Sequence, residues 1–179
     1  MFRRLGSRLR RFTRLSSAER RLLLRALIGL LLLDLELRRR GFRRLIAALE
    51  EGSSTRPERA PAEALALARR YARWIEVAAR YQLRPARCLH RALLLHRWLR
   101  ADGLASELHI GVRKEGRALL AHAWVSVDGE VVTDPAPAIA PFRPLLAIGG
   151  ERPSGPGNDG EPAPEALVIA EGQTPRWTR

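Results

Sequence analysis

The sequence predicts an α+β protein in which N-terminal helices pack on a small antiparallel sheet of about three or more strands. Three observations lead there. Apolar residues recur at helical spacing as far as Gly103, strict alternation replaces that spacing from Leu108, and Asp128-Gly129 is a two-residue hairpin signal between apolar runs. At 179 residues, 46% of them apolar, the chain has room for one domain with a modest core.

The helices follow from punctuation and period. Ser16-Ser17-Ala18-Glu19 offers a serine cap with an acid in the first turn, and the leucine-rich stripe from Leu22 to Leu35 continues it as a helix over about 18–37. Arg38-Arg39-Arg40-Gly41 closes it with cations and a glycine. A short second helix covers about 42–50, and Gly52 to Pro61 reads as a connector. Pro61-Ala62-Glu63 opens a third helix, with Ala64, Leu65, Leu67, Ala68, Tyr71, Trp74, Ile75 and Ala78 on its inner side. Arg84-Pro85 breaks it, and a fourth helix runs from near Cys88 to Gly103.

Strands come next. Leu108, Ile110 and Val112 alternate with Glu107, His109 and Gly111; Lys114-Glu115-Gly116 turns the chain, 119–127 is a second strand and 130–134 a third. Pro135, Pro137, Pro141 and Pro144 make the following stretch loop-like, and 149–179 reads as a Pro/Gly-rich flexible tail. The organisation expected is therefore a basic Leu/Arg-rich helical segment over 1–60, a core over 61–148 on which the helices from 18 onward pack, and the tail.

The net charge is +13, and residues 1–50 hold 14 arginines against Glu19, Asp34, Glu36 and Glu50. A segment like this attracts anions of any kind, or is a solvated helix face. Few aromatics interleave with the arginines, which argues against base stacking, so no specific nucleic-acid partner is expected. The longest uncharged apolar run, Ala26–Leu33, is far short of the roughly 20 residues of a membrane span. Asp34-Leu35-Glu36 and three arginines follow it where a signal peptide would have small residues. It reads as a buried helix of a cytoplasmic protein.

Cys88 is the only cysteine, which excludes an internal disulfide and any multi-cysteine metal site. Its place at a helix start suits a nucleophile, because the helix N-terminus favours the thiolate and Arg87 adds positive potential. His122, inside a strand, is the candidate base; Asp134, at the end of the next strand, is the candidate for orienting the imidazole. The Cys88 backbone N–H and the Gln82 side chain are candidate oxyanion donors. Trp124 shares the strand face of His122, where it can shield the site or line a substrate groove. His90, His96 and His109 show no zinc-site spacing, so no metal is expected. No G-x-x-x-x-G-K loop occurs, and no cofactor is expected.

The hairpin imposes a condition. With a two-residue loop, Val127 pairs with Glu130 and Asp134 falls opposite Ala123, on the face away from His122. A three-residue loop or a bulge after Gly129 puts Asp134 opposite Trp124, on the face of His122. The triad therefore predicts the longer loop or the bulge.

The stretch Arg87–Asp134 resembles the transglutaminase-like leader peptidases of lasso-peptide biosynthesis. The resemblance is carried by Cys88-Leu89 with Arg91-Ala92-Leu93, Leu99-Arg100 with Gly103, Gly111-Val112-Arg113, Ala121-His122-Ala123-Trp124-Val125, and Val127-Asp128-Gly129 followed by Asp134. It implies a transglutaminase-like, papain-like core and a Cys88–His122–Asp134 triad in a cysteine protease. The implied substrate is a ribosomally made precursor peptide cut between leader and core. The implied partners are a leader-recognition domain and an ATP-using, asparagine-synthetase-like cyclase that closes the macrolactam. Residues 1–60 lack the hairpin-rich pattern of a fused recognition fold, so a separate leader-recognition protein is expected. Two other functions fit the residues: acyl transfer to an amine by the same triad, and a non-enzymatic Arg-rich binding module.

Overall fold

The structure, a computed structural model, describes residues 15–51, 60–82, 86–116, 118–149 and 176–177. The expected connector at 52–59, the break at Arg84-Pro85 and the tail over 150–175 lie outside the described residues. Helix α1 (Ser17–Arg40) begins at a reciprocal capping box. The Glu19 N–H donates to Ser16 Oγ at 3.2 Å and the Ser16 N–H to Glu19 Oε2 at 2.9 Å. Gly41, at φ 76°, ends it, a conformation glycine adopts without a Cβ penalty. Helices α2 (Phe42–Glu51), α3 (Pro61–Ala79) and α4 (Cys88–Ala101) follow.

Helix α1 buries Leu23, Ala26, Leu30 and Leu33 against α3 and α4, while Leu24, Ile28, Leu31, Leu32 and Leu35 remain exposed. The expectation of a buried helix is thus corrected to a half-buried one. Leucines surround the helix, so apolar spacing alone did not distinguish the covered face. Among the described residues no helix is long and apolar enough to cross a membrane. Arg97 on α4 forms a fork with Glu36 on α1 at 2.6 and 3.0 Å. Tyr71 on α3 meets Trp98 on α4 edge-to-face and donates to Asp102 at 2.6 Å. These contacts fix α4, and with it Cys88, against the other helices.

The sheet has the order β3-β2-β1-β4: β1 (Glu107–Glu115), β2 (Ala118–Val127), β3 (Glu130–Val131) and β4 (Arg143–Ile148), all antiparallel. A two-residue β5 (Arg176–Trp177) lies parallel to β2 at Leu120 and Ala121. Alternation sorts the two faces. Leu108, Ile110, Ala123 and Val125 join the helical core, while His109, Gly111, His122 and Trp124 share the opposite face.

The loop-like reading of 135–148 is overturned. Pro135 precedes and Pro137 falls in the first turn of a short helix α5 (Ala136–Ile139), and Arg143–Ile148 is a strand. A proline is tolerated there because β4 is an edge, and Pro144 falls opposite Gly111, beside a register shift in β1.

Candidate active site

Cys88 is the first residue of α4, whose first turn contains no acid. Backbone N–H groups of a first helical turn lack intrahelical acceptors and carry partial positive charge, so an anionic sulfur is favoured there. The residue is only 2% exposed, yet it lines a cleft of about 250 Å³. The cleft is walled by Arg69, Ala72, Arg73 and Glu76 of α3, by Arg91 of α4, and by Val132, Thr133 and Asp134 after β3.

His122 lies in β2 opposite Gly111 and is 6% exposed. Its Nε2 stands 3.4 Å from Asp134 Oδ2, and its side chain hydrogen-bonds Cys88. Burial works to lower the imidazole pKa. The hydrogen bonds with Asp134 and Cys88, and the charges of both, outweigh burial and lift it from 6.5 to about 9. For Asp134, burial works upward, but bonds from His122 and Thr133 hold the carboxyl below its ordinary value. The pair is thus an imidazolium beside a carboxylate at neutral pH.

The three sequence-predicted residues meet, but not by the expected route. The loop is two residues: Val127 pairs with Glu130 and Ser126 with Val131. Asp128 at φ 50° and Gly129 at φ 78° have the two positive φ values of a type I′ turn. The predicted three-residue loop or bulge is therefore absent, and the third strand stops at Val131 where Asp134 was expected to end it. The switch happens beyond the strand. The Val132 N–H still donates to the Val125 carbonyl at 2.9 Å, but the Val125 N–H donates to Thr133 Oγ1 at 3.1 Å. A side-chain hydroxyl takes the position of a ladder carbonyl, the chain bends over 132–134, and Asp134 is released from strand alternation. Thr133 also hydrogen-bonds the Asp134 carboxylate. Sequence reasoning missed this residue, and a lone threonine after a strand offers no periodic signal.

Trp124 packs on the imidazole and is not on the cleft wall. It is 5% exposed and stacks between His109 and His122, with ring centroids 5.5 and 6.1 Å away. Phe142 lies 5.2 Å from the His122 ring, a second cover missed in the sequence. Gly111 makes room for the indole: a Cβ there would sit 2.8 Å from Trp124 Cη2 and 2.9 Å from the Arg143 carbonyl oxygen. Gln82 is corrected as an oxyanion candidate. Its Nε2 donates to the Leu27 carbonyl at 2.8 Å, because the exit of α3 lies against α1, and it is not on the cleft wall. Among the described residues no group of His, Cys, Asp and Glu side chains is placed to hold a metal ion.

The family profile described as the transglutaminase-like superfamily matches residues 29–147, a span that begins in α1 and ends within β4. The chain belongs to the transglutaminase-like superfamily. The match includes Cys88, His122 and Asp134 and agrees with the α+β architecture, helices on one face of an antiparallel sheet. A transglutaminase-like domain suggests activity of the cysteine protease or acyltransferase type. No curated protein and no solved structure matches the chain significantly.

Proposed function

We propose that the protein is a cysteine protease that removes the leader from a ribosomally made lasso-peptide precursor, with Cys88 as nucleophile, His122 as base and Asp134 as the residue that orients the imidazole. The observation that carries the chemical part is the placement of one imidazole between a carboxylate at 3.4 Å and the only thiol of the chain. An imidazole raised to about 9 beside a thiol at a helix N-terminus favours a thiolate–imidazolium pair at neutral pH.

In this reading the Cys88 sulfur attacks the carbonyl that joins leader to core. The backbone N–H of Cys88, at the mouth of α4, receives the developing oxyanion. The His122 imidazolium gives its proton to the departing core amine. The imidazole then takes a proton from water, which cleaves the acyl-enzyme and frees the leader as an acid. Asp134 keeps the ring oriented throughout, and Trp124 and Phe142 keep bulk water off it.

The substrate assignment rests on the resemblance of Arg87–Asp134 to lasso leader peptidases. From it follow a separate leader-recognition protein that delivers the precursor and an asparagine-synthetase-like cyclase that uses the freed core amine. The test is Cys88→Ala in a cleavage assay with precursor and recognition protein, read by mass spectrometry. Leader release is expected to vanish while circular dichroism is retained. A folded Cys88→Ala protein that still releases leader ends the reading.

A further inference from the structure

The charges around the cleft pair off, with one exception. Arg69, Ala72, Arg73 and Glu76 follow the i, i+3, i+4, i+7 spacing that puts them on one face of α3, and that face walls the cleft into which Cys88 opens. Arg69 is paired with Glu130 at 2.8 Å. Arg91, one turn beyond Cys88, is paired with Glu76. Asp134 is matched to the raised imidazole of His122. Arg73 has no ion pair among the described residues. Glu19 feels its charge, but the Glu19 carboxylate accepts the Ser16 N–H in the capping box.

We propose that Arg73 is an anion-recognition residue of the cleft, and that the acyl donor carries an acidic peptide side chain close to the bond that Cys88 attacks. This rests on Cys88 being the nucleophile. A single guanidinium without an ion pair, with its neighbours Arg69 and Arg91 already paired, matches the one negative charge of a carboxylate better than the two of a phosphate. The exposed position of Arg73 allows its planar fork to reach over the cleft, and a substrate lying along α3 would bury the ion pair and strengthen it.

The test compares two alkylating reagents on the full-length chain, neutral iodoacetamide and anionic iodoacetate, with modification of Cys88 followed by mass spectrometry. Arg73→Gln is expected to lower the iodoacetate-to-iodoacetamide rate ratio about threefold at low salt, and Arg73→Glu about tenfold, the size expected for unit charges acting across a partly solvated cleft. Half-molar salt should erase most of the difference. Arg70→Gln is the control, since it removes the same charge from a residue that lines the groove between α1 and α3 instead. Equal changes in Arg73→Gln and Arg70→Gln, or no change in Arg73→Gln, overturn the subsite while leaving the nucleophile intact. A Cys88 that reacts slowly with both reagents at neutral pH sinks the nucleophile, and the subsite with it.

Discussion

Replacing Asp134 by asparagine separates orientation from charge at the imidazole. Asparagine keeps an oxygen that can face Nε2, so the ring stays in place, but the negative charge is gone. His122 is raised from 6.5 to about 9 against the opposing effect of burial, and the lift comes from Asp134 and Cys88, each by a hydrogen bond and a charge. At 1.36 kcal/mol per pKa unit the net lift corresponds to about 3 kcal/mol. Asp134 supplies the leading upward contribution, so the His122 midpoint is expected to fall, by about one pH unit, in Asp134→Asn. The assay is NMR titration of the imidazoles, with only four histidines to assign. Stability must follow with a definite sign. Because the folded value is raised, the stabilisation is complete below the unfolded value of 6.5 and is lost as pH rises through about 9. In the variant that loss should be complete at lower pH, as read by urea denaturation at a series of pH values. A wild-type midpoint near 6.5, or a midpoint unmoved in Asp134→Asn, refutes the reasoning.

Three further perturbations probe the surroundings. His96 is fully buried, and burial followed by the Arg100 charge lowers it to about 4, so the unfolded chain takes up a proton between pH 6.5 and 4 that the folded one refuses. Stability should therefore decline by up to about 3 kcal/mol as pH falls through that window, and His96→Gln should flatten the decline in denaturation curves. Gly111→Ala presses a methyl onto Trp124 and the Arg143 backbone and is expected to cost about 1–3 kcal/mol in the same measurement; an unchanged midpoint would mean that the sheet yields there. Thr133→Val removes the acceptor of the Val125 N–H and a donor to Asp134. It should cost about 1–3 kcal/mol and lower the His122 midpoint, with Thr133→Ser restoring both, whereas loss of stability with an unmoved midpoint would make Thr133 purely structural.

What could be read from the sequence is what repeats or what punctuates. The helix mouth at Cys88, the alternation that places His122 and Trp124 on one face, and the Asp128-Gly129 turn all leave local signals, and all are found where expected. Asp134 was harder. Counting residues along an ideal ladder sends it away from His122 unless the loop is longer or bulged, and the loop is neither. The ladder ends early because one threonine hydroxyl substitutes for a carbonyl, an event with no period to detect. β4 was hidden by its prolines, since whether a proline is tolerated in a strand depends on the strand being an edge, which only the assembled sheet decides. The outer leucines of α1 show the same limit from the other side: composition cannot say which half of a leucine-rich helix finds a neighbour.

The surroundings of the thiol also explain why an acid is tolerated so near it. A carboxylate on the cleft wall opposes an anionic sulfur and weakens the helix dipole's effect, and Glu76 is on that wall. Arg91 occupies the turn just after Cys88, i+3 along α4, and is paired with Glu76. The helix that presents the sulfur thereby also presents the cation that neutralises the acid across from it. Glu76 is left tying α3 to α4 at the cleft, while the first turn of α4, free of acids of its own, keeps its positive end for the thiolate.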